Sequence, residues 1–342
     1  MKPSFFRLVL IVLLLTGCSR PFAVATASPS PGPAPTGTPA PSPTLAPSPS
    51  PTPDPYSKYT IDYLRSRTYG GGEIGIVEKV GQNSAFTRYL ILYPSDGLTI
   101  HGFMDVPTGD GKFPVIIALH GYIDPSVYNT LDYTTHYADV LASAGYLVLH
   151  PNLRGFPPSD SGDDLFRVGM ATDVLNLIAI VKATGGREGP LQSADPENIG
   201  MWGHSMGGGV TTRVLTISSD IKAAVLYSAM SGDEQKNYAA IGSWSNNQRG
   251  SQERAVPMDE LPFISPMSFY DYIQTAVSIN HGLEDPLVPV QWSMQTCEQL
   301  KALGKTVECH YFAGQPHTFQ GQGDKEFMQN AIHFFDQYMR AP

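Results

Sequence analysis

Five short apolar runs, each closed by a turn residue or glycine and most followed by a stretch with helical spacing, leave few folds open to this chain. They are "FPVIIALHG" (113–121), "GYLVLHPNLRG" (145–155), "NIGMWGHS" (198–205), "KAAVLYS" (222–228) and "TAVSINHG" (275–282), and the more polar "KTVECHYF" (305–312) reads as a further strand. Near-continuous apolarity over so few residues suits strands buried on both faces of a parallel sheet. Helical spacing predicts helices near 132–144, 164–183, 206–218, 291–304 and 324–339. Upstream, "FTRYLILYP" (86–94) and "LTIHGFMDVP" (98–107) read as two strands joined by the hairpin-type turn Ser95-Asp96-Gly97. The pattern is α/β: a mostly parallel, doubly wound sheet with antiparallel N-terminal strands. One connection breaks the rhythm. Between "KAAVLYS" and "TAVSINHG" lie roughly 45 residues, an insert over about 229–272 that exceeds ordinary connections. It carries Tyr238, Trp244, Phe263, Phe269, Tyr270 and Tyr272 and is expected to form a substrate-facing cap. The other reading is a helical excursion that packs its aromatics on the body.

The first 55 residues do not belong to that sheet. Lys2 and Arg7 precede the apolar run Leu8 to Leu15, which is too short to span a bilayer and has the layout of an export signal. The following "LTGC" resembles the bacterial lipobox, which implies a signal over 1–18 and lipidation of Cys18. A plain secretory signal with an incidental cysteine is the alternative. Residues 19–55 read as a linker, with twelve prolines between positions 29 and 55 interleaved with Ser, Thr, Ala and Gly. Such a segment buries no core and favours an extended polyproline conformation at roughly 3 Å per residue, a tether of up to ~80 Å. The folded domain is expected over 56–342, outside the cytoplasm and anchored to a membrane. Cys297 and Cys309 fall on a predicted helix and the strand after it; export permits a disulfide there, and two free thiols remain the alternative.

With 42% hydrophobic residues in 342, the chain can bury a large core. A net charge of −9 with no basic run argues against a nucleic-acid partner. The sequence has no CxxC, HExxH or GxxxxGK[ST], so metal and P-loop readings find no support. Gly70-Gly71-Gly72 lacks the lysine and helix of a phosphate cradle and reads as a flexible turn.

Gly203-His204-Ser205-Met206-Gly207 fits G-x-S-x-G, with a buried strand before it and a helix after. Such glycines permit a strained turn that exposes the serine at a helix N-terminus, where free N–H groups favour a developing oxyanion. A serine nucleophile needs a base, and the base an orienting acid. On this topology the order is Ser, then acid, then His. "INHGLEDPLVP" supplies Asp285 directly after a strand, 80 residues beyond Ser205; Glu284 is its neighbour to exclude, and Asp233 a minor alternative. His317 follows the last strand, 32 residues further on, whereas His310 lies within that strand and His333 deep in the final helix. The oxyanion donors expected are the N–H groups of Met206 and Tyr122, with His120 and Gly121 shaping the turn before Tyr122. His120 has no visible partners as a metal ligand.

The segments "SDGLTIHGFMDVP", "PVIIALHG", "GYLVLHPNLRG", "GHSMGG", "SINHGLEDPLVP" and "GQPHTF" together resemble the α/β-hydrolase superfamily. Within it they are similar to the catalytic domain of prolyl oligopeptidase-type serine hydrolases and their dienelactone hydrolase and esterase-like kin. The resemblance implies the α/β-hydrolase fold with an insert before the catalytic acid. It implies Ser205 as nucleophile, Asp285 as acid and His317 as base, with Tyr122 and Met206 at the oxyanion hole. Arg154 in "NLRG" matches a recurrent family arginine and reads as structural. Two departures bear on the substrate. About 30 folded residues precede the hydrolase region, too few for the family's β-propeller, and "YIDP" after "HG" lacks the further Gly-Pro of its peptidases. "GHSMGGG" with "HGY" is also locally similar to cutinase-type polyester hydrolases. The expected function is a carboxylesterase acting through an acyl-enzyme on small-molecule esters, with no metal or organic cofactor. A peptidase acting on short peptides is the alternative, and a non-catalytic surface-binding lipoprotein a lesser one.

Overall fold

Alternate residues of the 113–121 run face opposite ways. In β4 (Phe113–Leu119), Val115, Ile117 and Leu119 enter one apolar core while Ile116 and Ala118 enter another, so the strand is covered on both faces. The computed structural model describes Gly32 and residues 54–340. The expected signal over 1–18, Cys18 and all of the linker except Gly32, Asp54 and Pro55 lie outside the described residues.

The chain enters through a short helix, α1 (Ile61–Ser66), capped by the Thr60 hydroxyl on the Tyr63 N–H. Three antiparallel strands follow: β1 (Gly75–Gln82), β2 (Phe86–Ser95) and β3 (Leu98–Pro107). The strands β5 (Leu147–Pro151), β6 (Ala194–His204), β7 (Ile221–Tyr227), β8 (Ala276–Gly282) and β9 (Val307–Phe312) then join β4 in parallel. The nine strands lie in the order β1-β2-β3-β5-β4-β6-β7-β8-β9. This is the mostly parallel sheet with antiparallel N-terminal strands that the sequence predicts.

One core packs α3 (Val168–Thr184), α4 (Met206–Ile217) and α8 (Val290–Ala302) against the sheet; the other packs α2 (Thr135–Ser143) and α9 (Gly321–Met339). In α9 the spacing of Phe327, Met328, Ala331, Phe334 and Phe335 makes a single apolar stripe, which is why one face of it is buried. α3 is buried nearly all round from Val168 to Val181. Its Asp173 forms an ion pair with Arg154 at 2.7 Å, and Arg154 also donates to Asp163 O, so this arginine ties the 153–167 loop down. Cys297 on α8 and Cys309 on β9 are joined as a disulfide, which settles the pairing that spacing left open.

Two elements escape the sequence reading. α1 is a helix of only six residues, and β1 is an edge strand with mostly exposed residues and two register shifts against β2. Neither buries a stripe long enough to print a period.

Candidate active site

A topology in which β4, β6, β8 and β9 all run the same way brings the segments after them to one edge of the sheet. Tyr122, Ser205, Asp285 and His317 are those segments' residues.

Ser205 sits between β6 and α4 with φ 54° and ψ −114°, a left-handed backbone that costs a non-glycine residue about 1–3 kcal/mol. Tertiary hydrogen bonds hold it there. Ser205 N–H donates to Tyr227 O at 2.9 Å, and Ser205 O accepts from Met230 N–H at 3.0 Å and Gly209 N–H at 3.1 Å. A Cβ on Gly203 would stand 2.5 Å from Gly207 O, and one on Gly207 2.5 Å from Leu119 O, so both flanking glycines are there for close approach. The Ser205 side chain does not cap α4 and has no hydrogen-bond partner among the described residues. A plain helix cap is therefore not its role.

Asp285 follows β8 with its side chain wholly buried. Oδ1 accepts the N–H groups of Leu287 (2.8 Å) and Val288 (2.9 Å). Oδ2 lies 2.7 Å from His317 Nδ1 and 3.0 Å from His281 Nε2. Burial alone would raise this carboxyl, but the hydrogen bonds from His281, His317 and Val288 outweigh it and hold the group well below the usual carboxylate range. Because Nδ1 of His317 is engaged by Asp285, Nε2 is the nitrogen left for a reacting partner.

The rival positions are occupied otherwise. Glu284 is exposed, and Asp233 accepts from Gln235 N–H as the cap of α5 (Glu234–Trp244). His310 pairs with Glu308 on β9, and His333 is exposed on α9. His120 is buried with both ring nitrogens against backbone carbonyls, Gly121 O and Asn152 O, each at 2.7 Å.

Two further histidines support the site, and the motifs do not reveal them. His281 Nε2 faces two acceptors, Asp285 Oδ2 and Val288 O, so it carries the proton, while Nδ1 accepts from the Ser293 hydroxyl at 2.7 Å. His204, the first variable residue of the G-x-S-x-G turn, places Nε2 at 3.0 Å from His317 O and Nδ1 at 2.7 Å from Tyr133 OH. Burial, reinforced by the nearby His317 ring, pushes His204 down to about 3, so it is a neutral prop for the His317 backbone. What could have marked them is position: both lie at a strand end, His204 next to Ser205 and His281 four residues before Asp285.

Two cavities meet at Ser205 and share Tyr122, Ser205 and Trp244 as walls. One, about 460 Å³, contains His317, His204, Ile123, Tyr133, Leu287 and Val288. The other, about 480 Å³, runs under the insert and past Met206, Met230, Asp164 and Arg167. The N–H groups of Tyr122 and Met206 are not engaged by any hydrogen bond among the described residues.

The insert is helical: α5, α6 (Ser251–Arg254), α7 (Leu261–Ile264) and a 3-10 segment Pro266–Tyr272. Its aromatic residues do not line the site as a group. Only Trp244 of the six reaches the cavities. Tyr270 is buried, Phe269 packs on Tyr272, Tyr272 lies under the Arg65 guanidinium, Tyr238 donates to Met258 Sδ, and Phe263 is exposed. Short helices on a large body need their apolar faces to dock, so the aromatics are spent there. The cavity side is left to Ile241, Ser245, Gln248, Arg249 and Glu253. A buried network of Arg167, Glu234 and Arg213 joins the 165–167 turn, the insert and α4.

Against known proteins, a sequence profile of the prolyl oligopeptidase family matches residues 132–341. An uncharacterized peptidase of Bacillus subtilis, YuxL, is 24% identical over 282 residues, taking in 76% of this chain and 41% of that protein. The fold is similar to Pyrococcus horikoshii acylaminoacyl peptidase, with TM-score 0.61 and 23% identity over 75% of this chain and 42% of that one. It is also similar to acetyl xylan esterase 1 of a Thermoanaerobacterium species, with TM-score 0.59 and 18% identity over 81% of this chain and 90% of that one. The chain thus spans about two fifths of the length of these peptidases.

Proposed function

The chain is a serine hydrolase of the prolyl oligopeptidase family, and from that premise we propose that it cleaves carboxylic esters through an acyl-enzyme. The observation that carries the reading is the unpartnered Ser205 hydroxyl on its strained turn, in a cavity shared with a His317 whose Nδ1 lies 2.7 Å from Asp285. His317 Nε2 takes the proton of Ser205 Oγ as Oγ bonds to the ester carbonyl carbon. The carbonyl oxygen, now an anion, is met by the N–H groups of Tyr122 and Met206. Collapse breaks the bond to the alkoxy oxygen, which leaves with the proton from His317. Water repeats the sequence on the acyl-enzyme and releases the acid. Asp285, held ionised, fixes the His317 tautomer and offsets its charge throughout.

The leaving alcohol must depart on the His317 side, which gives it the cavity with Leu287, Val288 and Ile123. The acyl group takes the other, past Met206 and Met230 and under Ile241 and Trp244. Esters need less leaving-group assistance than amides. The likeness to the esterase, which runs nearly the whole length of that enzyme, supports the same side. Cleavage of short peptides is the second reading, favoured by the likeness to an acylaminoacyl peptidase. Hydrolysis of p-nitrophenyl butyrate and Ala-Pro-p-nitroanilide by the full chain separates the two. Fast ester turnover with negligible anilide cleavage is expected, lowered about 10⁶-fold by Ser205→Ala. Anilide cleavage as fast as ester cleavage would replace the esterase with a peptidase.

The protein is further proposed to be an extracytoplasmic lipoprotein carrying its anchor on Cys18. The Cys297–Cys309 disulfide supports an oxidising compartment. Metabolic labelling with palmitate should mark the wild-type chain and not Cys18→Ser; equal labelling of both would refute the anchor.

A further inference from the structure

The turn between α5 and α6 is built around one arginine. Asn246, Asn247 and Gly250 all take left-handed backbone there. Arg249 N–H donates to Ser245 Oγ at 3.0 Å, and Arg249 O accepts from the Arg254 guanidinium at 3.2 Å. With its backbone tied on both sides, Arg249 reaches out of the insert to the segment after β4. Its guanidinium carbon lies 4.3 Å from the centre of the Tyr122 ring, and Nη2 lies 3.7 Å from Asp124 Oδ2. Asp124 is itself held, since its Oδ1 accepts the Ser126 N–H at 2.9 Å and the Ser126 hydroxyl at 2.8 Å. Little else holds Tyr122: its ring is half exposed and meets Phe156 edge-on at 6.2 Å.

We propose that Arg249 is a positioning residue for the reaction: by stacking on Tyr122 and pairing with Asp124 it fixes the loop that presents the Tyr122 N–H to the oxyanion. This rests on the esterase reading of the site. The insert then contributes to catalysis through a cation lodged over a ring rather than through an aromatic lining. A guanidinium over a tyrosine face is favourable even when partly exposed, and the second contact fixes its direction. An oxyanion donor must be in place before charge develops, so a loosened loop lowers the rate more than it lowers binding.

The test uses p-nitrophenyl acetate, whose acyl group is two carbons shorter and fills less of the cavity under the insert, beside p-nitrophenyl butyrate, with the full chain and R249A, R249K, D124N and S205A. Losing an oxyanion donor outright costs a factor of 10²–10³, and loosening one is expected to cost R249A about tenfold in kcat on acetate, with KM changed less than about twofold. R249K, which keeps a cation over the ring, should recover part of the loss, and D124N should lose less than R249A. Added sodium chloride should slow the wild type and leave R249A unmoved, because the contacts are half exposed and screened. Arg249 is not buried, and equal thermal midpoints for R249A and the wild type would show that folding is unaffected. Unchanged kcat on acetate in R249A, with a raised KM on butyrate alone, would overturn the proposal and leave Arg249 as a wall of the acyl cavity. Ester turnover surviving in S205A would instead overturn the reading of the site itself.

Discussion

Two carboxylates of the site, Asp164 on the wall of the cavity under the insert and Asp285 behind His317, are pushed in opposite directions by their surroundings. Asp285 accepts four hydrogen bonds, two from backbone and two from histidines, and is held well below the usual range although its side chain is fully buried. Asp164, on the far wall, accepts one on its carboxylate among the described residues, from Met170 N–H at 2.9 Å. Burial raises it to about 7 against the pull of that bond and of Arg167. Desolvation acts on both, so the donors decide. The β8–β9 side of the site is organised before any substrate arrives, whereas the acid on the side facing the insert has a single donor among the described residues, Met170 N–H.

That contrast can be broken first at Asp285. Asp285→Asn should keep the shape but turn the His317 ring to the wrong tautomer, lowering ester kcat about 10⁴-fold; a loss below about tenfold would mean that another group orients the histidine.

Removing one donor is a milder version of the same experiment. His281→Leu should lower kcat by about tenfold, on the scale of a lost supporting hydrogen bond. The sign with pH follows from the depressed folded pKa of Asp285. Its contribution is present above the unfolded value and lost as pH falls through the folded one. With a donor gone the folded value rises, so the acid limb of the pH–stability curve should move to higher pH in His281→Leu. An unmoved limb would make His281 a packing residue only.

At Asp164 the sign reverses. A folded pKa raised from 3.8 to about 7 means that the wild type loses stability as pH climbs through that window. Asp164→Asn escapes the loss, so it should gain about 1–2 kcal/mol over the wild type at about pH 8 and nothing at about pH 4, read by urea unfolding. A gain of equal size at both pH values would show that charge is not the cause. The smallest effect belongs to exposed Glu284. Glu284→Gln should leave ester kcat intact and shift stability by less than about 0.5 kcal/mol; a large loss of kcat would reopen the choice of acid beside Asp285.

What the sequence discloses here depends on whether a residue's role is carried by its chain neighbours. Gly203 and Gly207 announce the turn because they flank Ser205 within five residues, and Gly203 relieves crowding from Gly207 O in the same segment; that Gly207 also clears Leu119 O on β4 is seen only in the fold. Asp285 and His317 follow because strand ends locate them. His281 and His204 were not legible as supports, since their partners, Asp285 Oδ2 and His317 O, are set by how β6, β8 and β9 lie side by side. The six aromatics of the insert leave their orientation open for a related reason. Composition shows that apolar surface exists and not which side it docks on; the docking face took Tyr270, Phe269 and Tyr272. β1 was missed because an exposed edge strand has no buried face to write a pattern.

The left-handed backbone at Ser205 has a consequence for how such a protein drifts. Glycine is at ease in that conformation and serine is not, so Ser205→Gly should be the rare inactivating change that makes the protein firmer, by about 1 kcal/mol. Alanine relieves nothing, because it keeps the Cβ. Lineages or laboratory libraries screened for heat tolerance alone would therefore be drawn to discard the serine proposed as nucleophile. Only selection on turnover keeps a serine at this position.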